Sequence, residues 1–152
     1  MLRLEVIGII GADDNLVPGA LSAVARQFQK DPADIYAGET LLTDNSGRGV
    51  LREDEEYGAG ALISGIPFGH NAMFATKRAY ETVGLYDTSY RITADANWAH
   101  RAIKAGLSCS RLDRVLVQFA STGVSSNDGE RVLEETGRTI RENFPFLTQQ
   151  EA

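Results

Sequence analysis

Residues 6–10 form an apolar run, Val-Ile-Gly-Ile-Ile, closely followed by two adjacent acids, Asp13 and Asp14. A continuous β-branched run broken only by Gly8 is the pattern of a strand covered on both faces, so the sequence predicts a central strand of an α/β sheet. Open sheets of that class bind ligands in the crevice at the carboxyl ends of their strands, which is where the two acids fall. Read from their chemistry alone, Asp13 and Asp14 serve equally well to begin the turn and to favour the N-terminus of the next helix.

The bulk properties narrow the classes that remain. With 152 residues, 43% of them hydrophobic and 24% charged, the chain has room for one core, and a single domain over residues 1–152 is expected. A net charge of −6 argues against a nucleic-acid partner, because a phosphate-tracking surface needs a surplus of Lys and Arg. The lone Cys109 allows no intrachain disulfide and no thiolate cluster. The run at 6–10 is too short for a secretory signal, and no segment approaches the roughly 20 apolar residues of a membrane span. A cytoplasmic location with no membrane span is the expectation.

Periodicity orders the remaining elements. After a loop at 13–17, Pro18 can occupy a first helical turn, and Leu21, Val24, Ala25 and Phe28 fall on one face of a helix ending near Lys30. Residues 34–43 read as a second strand, 44–47 as a tight turn and 49–52 as a returning strand. The acidic run at 53–56 reads as a solvated loop, and the small apolar residues of 58–69 as a ligand-facing one. A short strand at 70–75 and a helix at 76–83 follow. Thr93 or Asp95 can cap a helix running to about Ala105, with Trp98, Ala102 and Ala105 on one face. A strand at 114–120, a hydroxyl-rich loop at 121–126 and an amphipathic helix at 130–144, with Val132, Leu133, Thr136, Ile140 and Phe144 on its apolar face, complete the chain.

The order of four pieces carries a resemblance: a strand ending in Ala12-Asp-Asp14, then Pro67-Phe-Gly-His-Asn-Ala-Met-Phe74, then Tyr80-Glu-Thr-Val-Gly-Leu-Tyr-Asp87, then Thr93-Ala-Asp95 opening a Trp-bearing helix. From about residue 5 to residue 126 the chain resembles the family 2 glycosyltransferases, enzymes of the GT-A fold that transfer a sugar from a nucleotide-sugar donor. The resemblance implies a mixed, Rossmann-like α/β sheet with flanking helices. It also implies a divalent metal, Mn²⁺ or Mg²⁺, on Asp14, with Asp13 turned toward the donor. Hard cations of this kind take carboxylate oxygen and are commonly shared with substrate phosphates.

By the same resemblance Asp95 is the base that deprotonates the acceptor hydroxyl in an inverting transfer. The family often has a second acid just before it, where Ala94 stands here. His70, Asn71 and Trp98 are candidates to face the acceptor, a glycan or a lipid-linked glycan of the kind used for cell-envelope polysaccharide. On chemistry alone His70 serves equally as a hydrogen-bonded structural histidine, and Trp98 is more simply core. His100 and Arg101, one turn on, can simply be solvated.

Family 2 enzymes carry nucleotide-binding βα units before the acid-bearing strand, and this chain begins almost at that strand. The expected architecture is therefore the C-terminal portion of a GT-A fold without those units. The apolar strand would then show an unpaired edge, for which a second copy of the chain, as a homodimer, or an N-terminal partner polypeptide is the expected cover. A glycosyltransferase is the first reading of function. The alternative is a non-catalytic module derived from the same fold, serving in assembly or glycan binding. A phosphoacceptor signalling domain also places paired acids after a first strand, but neither Asp44 nor Asp54 supplies its further acid and no Lys follows Lys104.

Overall fold

The computed structural model describes residues 5–43, 48–51, 68–120 and 128–147. Among these residues six strands, β1 (Val6–Gly8), β2 (Asn15–Leu16), β3 (Ile35–Thr43), β4 (Gly49–Leu51), β5 (Met73–Thr76) and β6 (Cys109–Ala120), form one mixed sheet. Its order is β1-β5-β3-β6-β2, with β4 pairing β3 off that path. Among the described residues four helices flank it: α1 (Ala20–Lys30), α2 (Lys77–Val83), α3 (Ala94–Lys104) and α4 (Gly129–Asn143).

The middle of the sheet is built by β3, which runs parallel to β6 and antiparallel to β5. Alternation along these strands divides the core into two layers. Ile35, Ala37, Met73 and Ala75 face α2 and α3, packing with Ala79, Trp98, Ala99 and Ala102. Tyr36, Phe74, Leu116 and Val117 face the other way, onto Ala20, Ala23 and Val24 of α1. Asp34 fastens the start of β3 to the start of β6, accepting from the backbone N–H and the hydroxyl of Ser108, each at 3.0 Å. The β3–β6 register slips after Gly38. A Cβ on Gly38 would collide with Leu116, so the bulge depends on glycine there.

Several expectations are corrected. The apolar run at 6–10 supplies only the three-residue β1, an edge strand antiparallel to β5 with no second neighbour among the described residues, and Ile9 and Ile10 are exposed. Two residues of the expected loop at 13–17 form β2, which pairs with β6. Helix α1 begins at Ala20 behind a left-handed Gly19, and its buried face is turned toward Ala20, Ala23 and Val24, leaving Leu21 and Ala25 exposed. Residues 70–72 form a 3₁₀ turn, and only then does strand β5 begin. Strand β6 starts at Cys109, five residues earlier than its apolar pattern suggests, because pairing with β3 holds its polar first half.

The last helix departs furthest from its pattern. Helix α4 buries Glu135, Thr139 and Asn143, a polar stripe at i, i+4 and i+8, while Leu133 is 75% exposed. The returning strand at 49–52 is present as β4. The turn at 44–47, the loops at 53–56 and 58–67, and the loop at 121–126 lie outside the described residues. Among the described residues no helix is long and apolar enough to cross a membrane.

Candidate functional site

The two acid-bearing segments meet at the 3₁₀ turn His70–Ala72, which precedes β5. Consecutive side chains of that turn reach in different directions. Asn71 Nδ2 donates to Asp14 Oδ2 at 2.7 Å, and His70 Nδ1 lies 2.9 Å from Asp95 Oδ2.

Asp14 follows β1 in a tight loop. Its Oδ2 also accepts from the Gly11 N–H at 3.1 Å, and its Oδ1 from the N–H of Ala120, the last residue of β6, at 3.2 Å. The carboxylate thus ties the β1–β2 loop to the ends of β5 and β6. A Cβ on Gly11 would strike the Asp14 carboxylate, so glycine is what allows the close approach. Asp13, by contrast, is exposed.

Asp95 lies in the first turn of α3, where a negative charge meets the positive end of the helix dipole. The N-cap position belongs to Thr93, which makes no side-chain cap bond there; Asp95 is not the cap. The Asp95 side chain is 15% exposed and that of His70 37%. Tyr86 stands close by. Burial first, and then the charge of nearby Asp95, pushes its phenol well above the ordinary range, so it stays neutral.

Two acceptor-facing expectations are corrected. Trp98 is 0% exposed: its ring packs on Tyr80 at 5.0 Å and Tyr86 at 6.2 Å, and its Nε1 donates to the Gly84 carbonyl at 2.8 Å. It has no face to offer a sugar. Asn71 is buried as well, and its amide serves Asp14. His100 is buried against Phe144, and Arg101 donates to the carbonyls of Val83 and Leu85 at 2.7 and 2.8 Å, closing the end of α2; neither is a solvated residue.

Asp14 has three N–H donors on its two oxygens, which leaves it little capacity for a cation. Among the described residues no group of three or more His, Cys, Asp or Glu could hold a metal ion. The acids therefore fit only a cation supplied mostly with ligand oxygens, as a diphosphate does, with the exposed Asp13 as the available carboxylate.

No family model matches the chain, and no curated protein does. Solved structures do. S. aureus TarS residues 1–349 in complex with UDP superpose with a TM-score of 0.60 at 14% identity, over 92% of this chain and 42% of that one. The UDP-GlcNAc complex of TarS gives 0.59 at 14%, over 92% and 44%, and S. aureus TarS in its longer form 0.61 at 13%, over 92% and 25%. The fold is a partial glycosyltransferase-like fold. The chain spans less than half the length of the TarS chains it matches.

Proposed function

We propose that this chain carries part of the site of a glycosyltransferase that moves a sugar from a nucleotide-sugar donor to an acceptor hydroxyl with inversion. The observation that carries the reading is the His70–Asn71 turn, which links the loop of Asp13 and Asp14 to Asp95. The likeness to TarS, a glycosyltransferase whose structures hold UDP and UDP-GlcNAc, supports the kind of activity.

In this reading Asp95 takes the proton of the acceptor hydroxyl as its oxygen bonds to the anomeric carbon, the bond from that carbon to the phosphate oxygen breaks, and the nucleoside diphosphate leaves with the electron pair. His70 orients the Asp95 carboxylate through Nδ1 and, being partly exposed, stands where an acceptor would approach. Asp14 fixes the loop, and Asp13 faces the donor diphosphate. Asp13 would hold a Mn²⁺ or Mg²⁺ ion shared with that diphosphate, which supplies charge neutralisation.

Calorimetric titration of UDP in the presence of Mn²⁺ tests the donor half. Saturable heat in the wild type that is lost in Asp13→Ala supports the reading; no heat in the wild type favours a non-catalytic module of the same fold.

A further inference from the structure

We propose that Glu135, on the C-terminal helix, is a positioning residue that holds the start of α3 so that Asp95 meets His70. The inference rests on reading Asp95 as the proton acceptor. Glu135 is 7% exposed, and its carboxylate is occupied by one short segment. Oε1 accepts from the Arg91 N–H at 2.9 Å. Oε2 accepts from the N–H groups of Ile92 at 3.0 Å and Thr93 at 2.9 Å and from the Thr93 hydroxyl at 3.2 Å. Those three N–H groups belong to the residues leading into α3, and Asp95 follows two residues later.

The carboxylate does from another helix what a local cap would do. Thr93 occupies the N-cap position, yet its hydroxyl turns to Glu135, and its carbonyl accepts the first helical bond, from the Asn97 N–H at 2.9 Å. Desolvation on its own would push the Glu135 carboxyl up. The backbone N–H bonds of Thr93, Arg91 and Ile92 and the Thr93 hydroxyl outweigh it and bring the group down to about 2, so it stays charged at every working pH.

A second clamp comes from the same face of α4. Glu142 accepts from the Tyr90 hydroxyl at 2.8 Å, and the Arg138 guanidinium lies 4.3 Å from the centre of the Tyr90 ring. Residues 135, 138 and 142 fall at i, i+3 and i+7, so one stripe of α4 grips residues 90–93 throughout. This accounts for the burial of the Glu135 carboxylate on this helix. With the lead-in segment fixed, the remaining freedom of the Asp95 carboxylate is taken up by His70 Nδ1 at 2.9 Å.

The test reads geometry rather than turnover, so a failure here is distinct from a failure of the proton-acceptor role. The imidazole nitrogen shifts of His70, measured by NMR on the full chain, report its tautomer and its Nδ1 hydrogen bond. Asp95→Ala, which removes the acceptor, sets the signature of the broken pair. Glu135→Gln is expected to move the His70 signals at least halfway toward that signature, and Thr93→Val, which removes a single hydroxyl, to move them less and in the same direction. Asn143→Ala, a buried residue of the same helix bonded within it, is expected to lower the melting temperature and leave His70 at its wild-type shifts. Wild-type His70 signals in Thr93→Val and in a folded Glu135→Gln would overturn the proposal, and the Thr93→Val result alone decides it if Glu135→Gln does not fold.

Discussion

Asp13 and Asp14 are neighbours with different surroundings, and the difference is measurable. Asp14 answers three N–H groups, so Asp14→Ala leaves donors of Gly11, Asn71 and Ala120 without their acceptor and should cost about 1–3 kcal/mol in urea unfolding. Asp13 is exposed, and Asp13→Ala should stay within about 0.5 kcal/mol of wild type while losing nucleotide binding. The resemblance divided the pair by putting the metal on Asp14 and turning Asp13 toward the donor, but the groups that claim Asp14 come from Asn71 and Ala120, far along the chain, and were not legible in the sequence. The meeting of His70 with Asp95 was hidden for the same reason. Each residue stood out by its own chemistry, and only the 3₁₀ turn brings one to the other.

At the scale of elements, helices α1 to α3 stand where the sequence placed them, although α1 turns Leu21 and Ala25 of its expected face to solvent. The face of α4 did not follow its pattern, because Glu135 on its buried side answers backbone N–H groups of another segment rather than an apolar layer. Its consequence is a pH dependence with a definite sign. The Glu135 carboxyl lies at about 2 in the folded chain and near its ordinary 4.5 when unfolded, so the unfolded chain binds the proton first as pH falls. The stabilisation is complete above about 4.5 and disappears toward 2. Acid titration of unfolding should therefore show the gap between wild type and Glu135→Gln closing across that window. The carboxyls of Glu142, lowered by its Arg138 and Tyr90 bonds, and of Asp87, lowered by its Ser89 bonds, act in the same direction. Trp98 makes a separate prediction: Trp98→Ala should cost about 3–5 kcal/mol, read in the same denaturation curves, as the loss of a fully enclosed ring rather than of a sugar contact.

Across the whole molecule, one sheet with α1 on one face and α2 and α3 on the other holds both acid segments at the same 3₁₀ turn. That arrangement is the part of a glycosyltransferase-like fold that these residues specify, and 92% of the chain superposes on TarS. The proposed transfer depends on Asp95 as the group that accepts the acceptor's proton. Its most direct measurement is turnover of a UDP-sugar by wild type and Asp95→Asn, with nucleotide binding followed in parallel. Unchanged nucleotide binding and a loss of roughly 100-fold or more in turnover are expected, the range a positioned base contributes. Turnover of Asp95→Asn equal to a detectable wild-type turnover would contradict it.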